Sequence, residues 1–154
     1  MTAAPARFDA WMDEALAEAR SALASEDVPV GAVVLDASGR VIGRGRNERE
    51  LHQDPTAHAE IVAMRQAAAA TGDWQLAGTT LVVTLEPCPM CAGAILAARV
   101  PTVVFGAWDD KAGAAGGVLD LLRERRLPQR AEVYGGVRAE ECAALLTDFF
   151  AGRR

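Results

Sequence analysis

The sequence predicts an α/β fold, a three-layer α/β/α sandwich around a central mixed sheet of five strands. Short β-branched segments alternate along the chain with longer segments of helical periodicity, which is the pattern of helices packed on both faces of a sheet. The length of 154 residues, with 51% hydrophobic and 24% charged residues, fits one compact domain over residues 1–154. No repeat or low-complexity tract interrupts this pattern, so we expect a single core.

The first half of the chain is predicted to form a helix, a β-hairpin and a second helix. Residues 8–25 place Met12, Leu16, Ala19 and Leu23 on one helical face, and acidic residues crowd the first half, where the helix dipole favours them. Residues 28–35 and 40–45 are predicted strands around a polar turn. Asp54-Pro55-Thr56 then offers helix-start chemistry, so the second helix should begin near His58. Its predicted apolar face is Ile61, Met64, Ala67 and Ala68.

The second half adds three strands and two helices. Residues 79–85 are β-branched and apolar, as expected for a strand covered on both faces; residues 102–107 are predicted to form another short buried strand, and residues 131–134 the last one. Pro87 suits the first turn of a third helix over residues 88–98. The closing helix is predicted to be lined by Cys142, Leu145, Leu146, Phe149 and Phe150. Residues 109–117 are too glycine-rich for a core element, so we interpret them as a loop at a functional rim.

Charge and composition limit the classes of function. The net charge of −5 argues against a protein that coats nucleic acid non-specifically, because such binding neutralises many phosphates. The late arginines leave two interpretations open, a local basic face or a solvated loop and tail: Arg123, Arg125, Arg126, Arg130, Arg153 and Arg154. The N-terminus lacks an apolar signal region, and no apolar run approaches the ~18 residues of a membrane span. We therefore expect a cytoplasmic protein.

Three residues form a candidate zinc-binding set: His58, Cys88 and Cys91. A catalytic zinc takes three protein ligands and leaves its fourth position to water. The two cysteines are too close for an ordinary framework disulfide, and at a helix start their thiolates face one side and gain from the positive end of the dipole. A C-x-x-C pair alone is weak evidence for a catalytic zinc site, because structural zinc knuckles and redox pairs share that spacing.

Glu60 makes the zinc interpretation specific. In mid-helix, two residues of separation would point His58 and Glu60 to opposite faces, so both can serve one site only near an irregular helix end. H-x-E followed by P-C-x-x-C is the signature of zinc deaminases, in which the glutamate moves protons. His58-Ala59-Glu60 and residues 87–91 match it fully. A closed structural site would need a fourth protein ligand, and only His52 or Cys142 could supply it.

The match extends over nearly the whole chain, which resembles the bacterial tRNA-specific adenosine deaminases. The segments that carry the resemblance are residues 28–33, 54–61, 84–88, 91–94, 104–107, 111–116 and 141–150. The resemblance implies a cytidine deaminase-like fold, Zn²⁺ on His58, Cys88 and Cys91, Glu60 as proton shuttle and no organic cofactor. It further implies that a homodimer hydrolyses the wobble adenosine of a tRNA anticodon stem-loop to inosine.

The resemblance also bears on substrate contacts. Each residue concerned has an alternative interpretation. Asn47 is implied to contact the target nucleoside, and an ordinary turn residue at a strand end is the alternative. Asp109 is implied to lie near the anticodon loop, or it is an exposed loop aspartate. Trp108 departs from the family, where arginine is frequent; it either stacks on a base or packs against a partner subunit.

Two rival functions are weighed beside this one. A small-molecule deaminase of free cytosine, guanine or a related base fits the acidic net charge. A non-catalytic zinc-stabilised binding module is disfavoured by Glu60, for which a structural site has no use.

Overall fold

The computed structural model describes residues 4–153 and contains a five-stranded mixed sheet, as the sequence predicts. The strands are β1 (Gly31–Leu35), β2 (Val41–Arg46), β3 (Thr80–Leu85), β4 (Thr102–Ala107) and β5 (Glu132–Tyr134). Their order in the sheet is β2-β1-β3-β4-β5. β1 runs antiparallel to both β2 and β3, whereas β3, β4 and β5 are parallel to one another. The predicted hairpin and the mixed character of the sheet are thus confirmed.

Helices cover both faces of this sheet. They are α1 (Arg7–Ser21), α2 (Arg49–His52), α3 (Ala59–Thr71), α4 (Pro89–Ala97) and α5 (Ala139–Ala151). Short 3-10 turns follow α1 at Ala22–Ser25 and precede β5 at Leu121–Arg123. α1 and α5 pack on one face, and α3 and α4 pack on the other, which gives the predicted three layers. Among residues 4–153, no helix combines the length and the apolar character that a membrane crossing requires.

The sheet separates two hydrophobic clusters, because successive residues of a strand point to opposite faces. In β1, Ala32 and Val34 belong to the cluster under α3 and α4, whereas Val33 and Leu35 belong to the cluster under α1 and α5. All four side chains are fully buried. Burial on both faces explains why β1 is apolar throughout instead of alternating with polar residues.

Glycines in the edge strand β2 bring α3 close to the sheet. A Cβ atom at Gly45 would collide with the backbone of Ala59 and Ala63, and one at Gly43 would collide with the backbone of α3 one turn later. The helix therefore lies directly on the strand backbone. This contact fixes the first turn of α3, which carries functional residues described below.

Some sequence expectations are wrong in detail. Leu23 is exposed and does not share the apolar face of α1, because the α-helix ends at Ser21 and the chain tightens into a 3-10 turn. Phe150, expected to line the last helix, is also exposed. Pro87 precedes α4, whose first residue is Pro89. The four-residue helix α2 was not predicted.

The glycine-rich segment of residues 109–117, hereafter the rim loop, contains no helix or strand, as predicted. Its interior is nevertheless part of the core, since Ala114 and Ala115 are fully buried in the cluster under α3 and α4. The loop is therefore a packed segment that folds back over the sheet, which its glycine content alone did not indicate.

Candidate metal and catalytic site

The candidate site lies where the starts of α3 and α4 meet. His58 immediately precedes α3 and Cys88 immediately precedes α4, both with extended backbone, and Cys91 lies in the first turn of α4. Two helix starts therefore supply the three predicted ligands, as the sequence pattern requires.

An irregular helix start also brings His58 and Glu60 together. The Asp54 carboxylate accepts hydrogen bonds of 2.9 Å from both the N–H and the hydroxyl of Thr56, so this stretch forms a turn before the helix. His58 then stands outside α3 with extended backbone, and Glu60 is the second residue inside it. The change of backbone conformation between them lets both side chains reach one cavity, which confirms the expected geometry.

The three ligand atoms fit a tetrahedral zinc. The Nδ1 atom of His58 lies 3.6 Å from the Sγ atom of Cys88 and 3.5 Å from that of Cys91, and all the ligand atoms lie within 4.8 Å of one another. With Zn–S of about 2.3 Å and Zn–N of about 2.0 Å, tetrahedral angles require N···S separations of about 3.6 Å. One imidazole nitrogen and two thiolates are also the donors that zinc prefers.

The three candidate ligands differ in how readily they lose a proton, and metal binding requires all three to be deprotonated. The hydrogen bond that Cys88 receives from Cys91 lowers the pKa of the Cys88 thiol to about 4. The pKa of Cys91 is raised, first because it shares that hydrogen bond and second because it is buried. The pKa of His58 is raised because its ring contacts the Cys88 sulfur. The cluster therefore concentrates negative charge on Cys88, and a thiolate is the form of cysteine that binds metal.

Glu60 is a buried carboxyl group beside these ligands. Its residue is 4% exposed, and burial raises its pKa from 4.5 to about 6. A carboxyl group with a pKa close to neutrality can both accept and release a proton. Glu60 therefore has the position and the acidity of a general acid–base.

A cavity of about 200 Å³ opens onto the ligands and Glu60. Val28, Val30 and Leu85 give it apolar walls. Asn47 and Asp109 contribute polar groups to its lining. Apolar walls with a few placed polar groups are typical of small-molecule binding sites.

The structure brings Asn47 and Asp109 to the cavity and leaves Trp108 outside its lining. Asn47 is buried, its side-chain amide donates to the carbonyl of Val28, and its oxygen accepts from the N–H of Arg49. The Asp109 carboxylate accepts hydrogen bonds from two amides of its own loop. Trp108 is 53% exposed, and its ring lies edge-on to Phe105 at 4.7 Å.

The alternative fourth ligands lie apart from the cluster. Within residues 4–153, the group of potential ligands contains His58, Cys88 and Cys91 and no further side chain. His52 is exposed and its Nε2 atom lies 2.7 Å from the Glu48 carboxylate. Cys142 is buried in the opposite cluster under α1 and α5. A three-ligand site agrees with a catalytic metal centre.

The late arginines are partly neutralised. Arg123 pairs with Asp120 at 3.0 Å, and Arg126 pairs with Glu124. Arg153 lies over the ring of Phe149 at 3.6 Å. Arg154 lies outside the described residues. The geometry thus supports the solvated interpretation for part of this cluster.

Sequence reasoning missed Glu86. It stands between the predicted strand of residues 79–85 and the C-x-x-C motif, where the sequence pattern assigns it no function. The residue is 2% exposed, lines the cavity and accepts hydrogen bonds from the rim loop. The one feature of the sequence that could have indicated a role for Glu86 is its position, a charged residue directly after a buried strand.

Known proteins similar to this chain include several deaminases. Residues 6–107 match the cytidine and deoxycytidylate deaminase zinc-binding region. The chain is 49% identical over 140 residues to a tRNA-specific adenosine deaminase of Bacillus subtilis, covering 91% of this chain and 86% of the relative. It is 55% identical over 141 residues to a tRNA(Ile)-lysidine synthase of Deinococcus radiodurans, covering 92% of this chain and only 24% of that longer protein.

A solved structure has the same fold. It comes from work on A-to-I editing by tRNA:A34 deaminases at the wobble position of transfer RNA. The two structures superpose with a TM-score of 0.85 at 42% sequence identity, covering 89% of this chain and 99% of the other.

Proposed function

The chain belongs to the zinc-binding cytidine and deoxycytidylate deaminase family, and we propose that it is a hydrolytic tRNA adenosine deaminase that converts a wobble adenosine to inosine. The main support for this reaction is that Glu60 lies in the same cavity as a potential zinc-binding group of one histidine and two cysteines. The substrate is supported by the Bacillus subtilis relative, which the chain matches over 86% of that protein's length.

His58, Cys88 and Cys91 are proposed to hold the zinc. Zinc bound by three protein ligands supplies Lewis-acid activation of water near neutral pH. The low pKa of Cys88 supports this assignment, because a thiolate binds the metal without first losing a proton.

Glu60 is proposed to move the protons. It takes a proton from the attacking water and delivers it to the ring nitrogen next to the carbon that carries the amine. In the second half of the reaction Glu60 takes the proton of the newly added hydroxyl group and delivers it to the amine, which leaves as ammonia while the carbonyl of inosine forms. Burial of this carboxyl group supports the role, because its raised pKa suits both directions of transfer.

The cavity is proposed to receive an extruded adenine. A stacked base cannot enter the cavity that leads to the ligands, and bases of an anticodon loop are already splayed, so extruding one costs little free energy. Val28, Val30 and Leu85 offer apolar contact to the flat ring. We assign Asn47 to the target nucleoside and Asp109 to the flanking loop, and their presence in the cavity lining supports both assignments.

The finer parts of the proposal concern partners. We propose an arginine tRNA with A at the first anticodon position as the substrate, a homodimer as the working form and the cytoplasm, where tRNA is found, as the location. Large apolar side chains on the surface support the dimer, because a partner subunit would remove them from water: Trp108, Val118, Leu119 and Phe150.

Inosine formation on an anticodon hairpin tests this function. A hairpin with A at the wobble position should be converted, and the same hairpin with C at that position should not react. Affinity should fall with salt, with each phosphate contact contributing a slope of about −0.7 in a plot of log K against log salt. Absence of inosine in the adenosine hairpin, with zinc bound to the protein, would contradict the proposal.

A further inference from the structure

We propose that Glu86 is a positioning residue that fixes the rim loop as one wall of the substrate cavity. The hydrogen bonds of its carboxylate carry this inference. Only the activity measurement described below rests on the proposed function, because the structural part concerns the loop itself.

The Glu86 carboxylate binds both ends of the rim loop. Its Oε1 atom accepts a hydrogen bond of 2.9 Å from the N–H of Asp109. Its Oε2 atom accepts bonds of 2.9 Å from Ala115 and 2.7 Å from Gly117. With the residue 2% exposed, these three bonds replace the water that an ionised carboxylate would otherwise require.

The loop backbone encloses this carboxylate. A Cβ atom at Gly113 or at Gly117 would overlap the Glu86 carboxylate oxygens, so both positions need glycine. Neither glycine has the positive φ that would explain it by backbone conformation. The glycine-rich composition of the loop therefore reflects close packing around a buried charge.

The same loop forms part of the substrate cavity. Asp109 and Ala112 both line it. The Asp109 carboxylate accepts from the N–H groups of Lys111 and Ala112, which links its orientation to the path of the loop. The carbonyl of Pro87, next to Glu86, accepts from Ala114 at 2.8 Å. A displaced carboxylate would therefore displace the wall that we assign to the RNA.

Glutamine cannot replace Glu86 despite its similar size. A carboxylate offers two acceptor oxygens, whereas an amide offers one oxygen and an NH₂ group that only donates. The NH₂ group would face either the backbone N–H of Asp109 or those of Ala115 and Gly117. Two donors would then meet with no acceptor between them. Glu86→Gln thus breaks one or two of the three bonds in either orientation.

Glu86→Gln therefore tests the inference by its effect on kcat and KM. We expect kcat/KM on the adenosine hairpin to fall about 10²-fold, most of it as a higher KM, because misplacement by about 1 Å costs that much. Zinc content should stay at the wild-type level. The matched control is Asp36→Asn, a carboxylate that accepts from Ser38 and Arg40 in the β1–β2 turn, at the end of β1 away from the cavity. Unchanged KM in Glu86→Gln, or an equal rise in Asp36→Asn, would overturn the proposal.

Amide hydrogen exchange supplies a second measurement on the wild-type protein. The N–H groups of Asp109, Ala115 and Gly117 should be protected although they lie in a loop. In Glu86→Gln, either the amide of Asp109 or those of Ala115 and Gly117 should lose this protection, while α1 keeps its own. Rapid exchange of these amides in the wild type would refute the inference even if the variant does not fold. If the wild type left the hairpin unreacted, the proposed function would fail, whereas protected amides would still support the role of Glu86.

Discussion

Glu60→Gln separates proton transfer from metal binding. The substitution keeps the volume of a side chain that is 4% exposed and removes its ability to take up a proton. Two other carboxylates line the cavity, Glu86 and Asp109, and both accept hydrogen bonds from backbone amides. Neither is free to replace Glu60, so the full contribution of the general acid–base should be lost.

The expected magnitude follows from the number of proton transfers. A positioned acid–base group contributes about 10²- to 10⁴-fold to a rate. Glu60 is assigned to the attack on the base and to the departure of ammonia, so we expect a loss of about 10⁴-fold or more. This corresponds to about 5 kcal/mol on the activation barrier.

Single-turnover inosine formation measures this loss, and elemental analysis measures zinc in the same sample. Glu140→Gln is the matched control, since Glu140 is exposed and, like Glu60, is the second residue of a 13-residue helix. We expect the control to keep its activity and both variants to keep their zinc. A rate within tenfold of wild type in Glu60→Gln would refute the assigned role.

Two further predictions concern the cysteines. Cys88→Ser and Cys91→Ser should each release the zinc, measured by elemental analysis, whereas Cys142→Ser should retain about one zinc per chain; full activity without metal would contradict this. Gly106→Ala should destabilise the protein by about 1–3 kcal/mol in urea unfolding, because the new Cβ would overlap the Cys142 sulfur. Cys142→Ala should relieve part of that cost, and additive effects would contradict the contact.

The central strands β1, β3 and β4 could be predicted because they are short, largely apolar and buried on both faces. The prediction of residues 102–107 as a strand coincides with β4. Helix ends were harder to predict from the sequence. Leu23 continues the apolar periodicity of α1, but the chain changes to a 3-10 turn after Ser21, and periodicity does not record that change. α2 is only four residues long, too short to show a period.

The metal ligands and Glu60 could be predicted because their spacing reflects the chemistry directly. Glu86 could not, because its partners are backbone amides in a loop 23 to 31 residues later, and backbone amides leave no signature in side-chain identity. Trp108 differs both from the ligands and from Glu86. Its contact with Phe105 explains its packing, and its role toward RNA stays a prediction.

The central claim is that the substrate is adenosine within RNA and not a free base. Its most direct test compares kcat/KM for the adenosine hairpin with the values for free adenosine, cytosine and guanine, using one zinc-loaded preparation. The hairpin should react far better than free adenosine, because flanking contacts position the same reacting base. Efficient deamination of free guanine or cytosine with an unreacted hairpin would contradict the account and establish the small-molecule alternative.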